Sequence, residues 1–118
     1  MLQPILWLLI CAVHVLPAAA LFQPGLLAAL YGMAPADPAF LLVQHRAALF
    51  ACVVVVCIWA IFDPGVRRLA AVVAAVSMVS FLVLFWSSGA PASLRSIAIV
   101  DLAALPLLIA AGCLAYRA

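Results

Sequence analysis

The amino-acid sequence predicts an all-α membrane protein, an up-down bundle of four transmembrane helices that forms one domain over residues 1–118. Two observations predict it. Of the 118 residues, 73% are hydrophobic and only 7% are charged, whereas an ordinary soluble domain carries about 25% charged residues. The apolar residues also fall into four long runs separated by polar or turn-forming segments. So little charge excludes a water-soluble enzyme and also a disordered chain, which is polar and rich in charge.

Each apolar run is long enough to cross a bilayer. A helix needs about 20 apolar residues to span the hydrocarbon core, within a range of about 17–25. Asp37-Pro38 and Asp63-Pro64 are each typical of a helix N-cap followed by proline in the first turn, so they mark the starts of the second and third spans. The predicted spans are residues 5–22, 40–62, 69–88 and 94–116.

The first span and the segment after it each leave an alternative. Residues 17–20 resemble a signal-peptide cleavage site, but no positive charge precedes the run, and Pro17 falls late in it. We therefore predict a retained helix. After it, Leu26 to Tyr31 predicts a short helix on the membrane surface, ended by Gly32. An irregular apolar loop is the alternative.

The charges orient the bundle. All five cations are arginines and all three anions are aspartates. Arg67, Arg68 and Arg117 fall on the side of the termini, against Arg95 on the other side, which predicts that both termini are cytoplasmic. There is no basic run in the sequence, so nucleic-acid binding has no electrostatic basis. The cysteines form no C-x-x-C motif, and we interpret them as small buried apolar residues.

Four ionisable side chains lie inside the spans, where each is a functional candidate by default. At 1.5 Å per residue, Arg46 and Asp101 lie about 10 Å below the outer ends of their spans, and His14 about 12 Å. His45 adjoins Arg46. We therefore predict a polar pocket in the outer half of the bundle. The residues predicted to form the pocket and its mouth are His14, His45, Arg46 and Asp101, with Tyr31, Trp86 and Arg95 at the mouth.

Several roles fit this cluster. An Arg46–Asp101 ion pair would offset much of the cost of burying two charges, either to pin two helices together or as part of a working site. Haem ligation by His14 and His45 is a less favoured alternative, and we predict no cofactor. Prolines at 17 and 106 free the carbonyls of residues 13 and 102 near the cluster.

The third span carries no charge but two distinctive faces. Ser77, Ser80 and Ser87 share one side of the helix, where their hydroxyls would extend the polar cavity or simply pack. The alanines at 70, 71, 74 and 75 form a small-residue surface, which lets membrane helices approach closely. Close packing is the favoured role.

The motifs His14-x-x-Pro17, Leu30-Tyr31-Gly32, His45-Arg46-Ala47, Ser77-x-x-Ser80-Phe81 and Arg95 through Asp101 span most of the chain. In these the sequence resembles a group of small bacterial four-span membrane proteins of unknown function, some of which carry an automated label of phosphopantetheine adenylyltransferase. The resemblance implies the four-span topology and a location in the bacterial cytoplasmic (inner) membrane, and it implies no activity. The sequence does not support the label, because it lacks a nucleotide-binding α/β pattern and phosphate-binding groups.

The residues favour three classes of function. The first is a membrane protein whose pocket binds an amphipathic or anionic small ligand or lipid. The second is an accessory subunit that packs against a larger membrane complex or a second copy of itself. The third is an intramembrane enzyme or proton relay built on Asp101 and the histidines; no catalytic motif is present, so we lean away from an enzyme.

Overall fold

The computed structural model describes residues 2–19, 22–23, 25, 29 and 36–117, without the side chains of 16 and 93. Every regular element in these ranges is helical. Four long helices follow one another: α1 (Leu2–Ala19), α2 (Phe40–Phe62), α3 (Arg67–Ser87) and α4 (Arg95–Arg117). Single 3-10 turns, Pro64–Val66 and Ala92–Leu94, lead into α3 and α4. Of the predicted surface helix, 26–31, only Ala29 lies within the described residues.

Three helices are long and apolar enough to cross a membrane: α2, α3 with its preceding turn, and α4. Without that turn, the bounds of the three helices agree with the predicted spans to within two residues. The first helix differs: it begins at Leu2 and ends at Ala19, three residues earlier at each end than predicted. Its 18 residues span about 27 Å, and it is shorter than the other three helices, which have 21 to 23 residues. The helices α1 and α4 both continue past their prolines.

The surface of the bundle is apolar. Large side chains such as Leu41, Phe62 and Val76 are among its most exposed residues. Only 22–39% of the most apolar window in the three long helices is buried inside the protein. A surface of this kind suits hydrocarbon, because lipid tails are as apolar as the side chains that face them.

The helices pack unequally around the bundle. Contacts are most extensive between α1 and α2, and substantial between α3 and α4 and between α1 and α4. Contacts between α2 and α3 are the least extensive of the four. We call this last boundary the α2–α3 seam. Among these four boundaries, neighbouring helices pack most sparsely at this seam.

A tryptophan surrounded by alanines forms the centre of the larger core. Trp7 is 0% exposed, and its cluster includes Ala70 and Ala74 of α3 and Ala111 of α4, all fully buried. The small-residue face of α3 is therefore packed, as predicted, and the small side chains leave room for the indole. Trp7 thus faces the interior, whereas Trp59 and Trp86 are exposed near helix ends.

The first residues of α1, the last residues of α4 and the turn between α2 and α3 lie at one end of the bundle. Arg67 donates from Nε to the Ala60 carbonyl oxygen at 2.8 Å, and Arg68 donates from Nε to that of Ala115 at 3.2 Å. Both acceptors lie in the last turn of a neighbouring helix, where free carbonyls carry partial negative charge. These arginines therefore stabilise the C-termini of α2 and α4. We call this the terminal end, and the end with residues 36–39 and 88–94 the loop end.

The predicted caps act as expected at one position and slightly differently at the other. Asp63 caps the 3-10 turn before α3, accepting from the Gly65 amide at 2.8 Å. Asp37 accepts from the Ala39 amide at 2.9 Å, closing a turn one step before α2 begins. The N-cap of α2 itself is Ala39, with no side-chain cap.

The cysteines divide into two pairs, all with free thiols. Cys11 and Cys57 are buried, as predicted, in the core cluster that contains Trp7. Cys52 and Cys113 are exposed on the apolar surface, contrary to the prediction that all four are buried. Exposing a thiol to lipid costs little free energy, because the lipid and the interior of the bundle are both apolar.

Candidate functional site

The bundle buries two ionisable side chains, and they come from helices that pack against each other. His14 of α1 is 1% exposed and Asp101 of α4 is 5% exposed. No other polar or charged side chain is as deeply buried within the described ranges. Ionisable groups are costly inside a membrane protein, so such a pair marks a candidate functional site.

The ring of His14 is fixed by its own helix. Its Nδ1 lies 2.9 Å from the Ile10 carbonyl oxygen, one turn earlier in α1. A carbonyl oxygen can only accept, so Nδ1 carries the hydrogen of this bond. The other ring nitrogen, Nε2, is buried and has no hydrogen-bond partner in the described part of the chain. In the neutral ring Nε2 is therefore a lone-pair acceptor held inside the bundle.

The Arg46 guanidinium contacts two buried aromatic rings. Its guanidinium carbon lies 5.1 Å from the ring centre of Phe50, one turn further along α2, and 4.7 Å from that of Phe81 on α3. The His14 ring also faces Phe50, with the two ring centres 5.9 Å apart. Cation–π contacts are worth about 2 kcal/mol when water is excluded. The phenyl ring of Phe50 thus lies between the two basic groups.

Asp101 lies on α4, which packs against α1, the helix of His14. The Arg46–Asp101 ion pair stays a prediction.

A groove opens along the α2–α3 seam on the other side of Arg46. Its volume is about 390 Å³. Polar lining comes from Arg46, Ser77 and Ser80, so two of the serines predicted to share a face do border a cavity. The Ser80 hydroxyl donates to the Ser77 carbonyl oxygen at 3.2 Å. The remaining lining is apolar: Leu49, Phe50, Val53, Val73, Val76, Phe81 and Leu84.

His45 does not belong to the interior. It is exposed on the surface of α2, whereas the next residue, Arg46, turns toward the bundle and is half-buried. One residue corresponds to about 100° around a helix, which separates the two side chains. The structure therefore removes His45 from the predicted pocket, and it does not bring together the two histidines of the haem alternative.

The predicted mouth residues border a different cavity. Trp86 and Arg95 both line a cavity of about 320 Å³ between α3 and α4 at the loop end. Trp86 is 54% exposed, and its ring packs edge-on against Phe85 at 5.9 Å. This cavity shares no lining residue with the groove. Tyr31 lies outside the described residues.

Sequence reasoning missed the two phenylalanines. Phe50 and Phe81 are buried, and each contacts the guanidinium of Arg46. Phe50 carried a usable signal, because an aromatic residue four positions after an arginine lies on the same face of a helix. Phe81 carried none, since nothing in one sequence shows which phenylalanine of a neighbouring span faces the cation.

No protein-family model, curated protein or solved structure matches this chain. The resemblance to small four-span membrane proteins thus stays a prediction from short motifs.

Proposed function

We propose that this chain is a multi-pass protein of the bacterial cytoplasmic membrane that binds an amphipathic anion in the α2–α3 groove. All four helices cross the bilayer in up-down order, with both termini cytoplasmic, and Arg46 receives the acidic head group. Three helices long enough to span support this proposal, as do the arginines at the terminal end. On this view α1 is the shortest pass.

The observation that carries the proposal is the distribution of polarity in the groove. Arg46 and Ser80 each lie about 10 Å from the loop end of their helices, whereas Val73 lies about 17 Å further from that end than Leu84 does. Ser77 lies about 15 Å from the loop end by the same count, so polar groups occupy the shallow and middle parts of the groove, and its deepest part, at Val53 and Val73, is apolar. A lipid of the adjacent leaflet has the same polarity profile, with its head group toward the loop end and its chain toward the centre.

The chemistry of Arg46 selects an acidic head group. A guanidinium presents several N–H donors in a plane and forms paired hydrogen bonds with carboxylate, phosphate or sulfonate oxygens. Ser77 and Ser80 add hydroxyls; serine hydroxyls in helices commonly bond back to a carbonyl, as Ser80 does, and can exchange that bond for a ligand. A hydrocarbon chain that moves from lipid to the apolar wall of the groove loses no favourable apolar contact.

Binding is tested with dodecyl sulfonate, which is anionic at every accessible pH, and with dodecanol as the neutral match. The protein in phosphatidylcholine nanodiscs is titrated by calorimetry, and empty nanodiscs are subtracted. We expect saturable binding of one sulfonate per chain and none of dodecanol. Loss of a charge-assisted hydrogen bond in Arg46→Gln should weaken binding by about 10–100-fold, and Arg117→Gln, at the other end of the bundle, should not.

A second variant separates binding from folding. Val76 is exposed and lines the groove from α3, whereas Arg46 lies on α2, so Val76→Trp should fill the groove and leave Arg46 in place. We expect Val76→Trp to keep its helical circular dichroism and lose sulfonate binding. Equal binding of dodecanol, or full sulfonate affinity in both Arg46→Gln and Val76→Trp, would overturn the proposed function.

A further inference from the structure

Two hydrogen-bond donors at the loop end have no partner in the described part of the chain. Arg95, the first residue of α4, makes no hydrogen bond, ion pair or ring contact there, and the indole N–H of Trp86 makes no hydrogen bond there. Two comparable groups at the terminal end are paired: Arg67 donates to a helix carbonyl at 2.8 Å, and the Trp59 indole donates to a carboxylate at 3.3 Å. The loop end therefore presents donors that a ligand can use.

Both donors line one cavity. It lies between α3 and α4 and has a volume of about 320 Å³. Its other lining residues are apolar: Phe85, Ala90, Ala98, Ile99 and Leu102. Leu102 follows Arg95 by seven residues and so lies about 10 Å further from the loop end. The cavity therefore has its polar side chains at the rim and apolar side chains below them.

The turn between the two helices places Arg95 at this rim. Gly89 and Ala90 both have left-handed backbone angles, with φ of +85° and +50°, and they reverse the chain directly after α3. Pro91 lacks the N–H that would continue a helix, and it precedes the 3-10 turn that leads into α4. Arg95 is the next residue after that turn.

The chemistry of the rim selects a negatively charged acceptor. The side chains of arginine and tryptophan donate hydrogen bonds and accept none. Residues 88–94 carry no charge, and the first turn of α4 has no acidic side chain, so the charge that this segment adds to the rim is positive. A guanidinium forms paired hydrogen bonds with phosphate oxygens. A phosphate group therefore complements both donors.

The apolar part of the cavity indicates that the phosphate belongs to a lipid. Ile99 is 59% exposed and Leu102 is 48% exposed, so this wall opens onto the apolar surface of the bundle. A small aqueous anion would leave the wall uncovered, whereas an acyl chain covers it. Tryptophan is also the side chain that membrane proteins place at the level of the head groups.

We propose that an anionic phospholipid of the leaflet at the loop end binds in this cavity. Its phosphate accepts hydrogen bonds from Arg95 and Trp86, and one acyl chain lies against Ile99 and Leu102. The site goes beyond the proposed function, because the cavity shares no lining residue with the α2–α3 groove. Either site can therefore fail its test without the other.

Binding is measured through Trp86, because bromine atoms on an acyl chain quench the fluorescence of an indole that they touch. The parent protein carries Trp59→Phe, which leaves as emitters Trp86 and Trp7, the latter 0% exposed. Phosphatidylcholine nanodiscs contain increasing fractions of brominated phosphatidylglycerol or, as the match, brominated phosphatidylcholine. One arginine near the membrane surface favours an anionic lipid by about fivefold, so phosphatidylglycerol should reach half-maximal quenching at about one-fifth of the mole fraction.

Arginine variants of the parent locate the head group. Arg95 is exposed, so Arg95→Gln should keep its helical circular dichroism and lose the preference for phosphatidylglycerol. Arg95→Lys retains the charge and should keep most of the preference. Arg117→Gln removes the same charge from the terminal end, and Arg46→Gln removes it from the groove. Both should leave the preference unchanged.

Four results would overturn the proposal. One is equal quenching by the two brominated lipids in the parent protein. Another is a full preference for phosphatidylglycerol in Arg95→Gln, and a third is loss of the preference in Arg117→Gln or Arg46→Gln, which would assign it to overall charge or to the groove. The fourth is release of the brominated lipid by inorganic phosphate but not by sodium chloride of equal ionic strength, which would make the cavity a site for a free anion.

Discussion

The guanidinium carbon of Arg46 lies 4.7 Å from the ring centre of Phe81, across the seam between α2 and α3. This seam has the least extensive contacts of the four that close the bundle. The contact therefore has two effects: it joins two helices where other packing is sparse, and it holds a cation at the edge of the groove. Substitution of Phe81 therefore tests how much the contact with Arg46 contributes to the unfolding free energy of the protein.

Replacing Phe81 with leucine should destabilise the protein more than the same change at Phe85. Both rings are buried, and they stack on each other at 6.1 Å, so both variants lose comparable apolar contact. Only Phe81 contacts a guanidinium. We expect the free energies of unfolding in micelles, followed by circular dichroism, to differ by about 0.5–2 kcal/mol. An equal loss in both variants would show that the cation–π contact adds nothing to stability.

Substitution of glycine by alanine should destabilise the protein at Gly89 and stabilise it at Gly112. Gly89 has φ +85° and ends α3, where the Ala90 amide donates to the Phe85 carbonyl oxygen and the Gly89 amide to that of Trp86. This is the hydrogen-bond pattern of a Schellman cap, which requires a left-handed residue. We expect Gly89→Ala to cost about 1 kcal/mol of unfolding free energy.

Gly112 provides the contrast within α4. An added Cβ would lie 3.8 Å from the Cβ of Ala71, an ordinary van der Waals distance. Alanine is favoured over glycine inside a helix by about 0.5–1 kcal/mol, so Gly112→Ala should raise the unfolding free energy by up to that amount. Destabilisation of both variants by equal amounts would contradict the backbone argument, and thermal unfolding of the pair measures it.

The position of a side chain could be predicted from the sequence where its polarity differs from that of the residues around it. Where the polarity is the same, the sequence does not show which side chain faces inward. Arg46 and Asp101 stand out because a charge within an apolar run needs an explanation, and helix geometry then places them at matching depth. The inward position of Trp7 has no such signal. A soluble helix shows its buried side by an apolar stripe, but both sides of a membrane helix are apolar. His45 and Arg46 show the same limit, because adjacency along the chain says nothing about which side chain faces inward.

The alanine face of α3 does carry a signal, and its packing can be tested by enlargement. Ala74 is 0% exposed in the core cluster around Trp7, whereas Ala103 is exposed on α4. Adding methylenes to a filled core costs about 1–3 kcal/mol. We expect Ala74→Leu to lower the unfolding free energy in micelles by that amount and Ala103→Leu to change it little. A tolerated Ala74→Leu would mean that the core contains unfilled space.

Trp7 offers the complementary test, because it is the large side chain that those alanines accommodate. It is fully buried, whereas Trp59 is 57% exposed and donates its indole hydrogen to Asp63 at 3.3 Å. In soluble proteins Trp→Ala in a core costs about 3–5 kcal/mol. Part of that cost comes from the exclusion of water, which has no counterpart between helices in lipid. We therefore expect Trp7→Ala to lose about 2–3 kcal/mol and Trp59→Ala to lose about 1 kcal/mol or less. Reversible unfolding in micelles measures both, and a larger loss at Trp59 would contradict the assignment of Trp7 to the core.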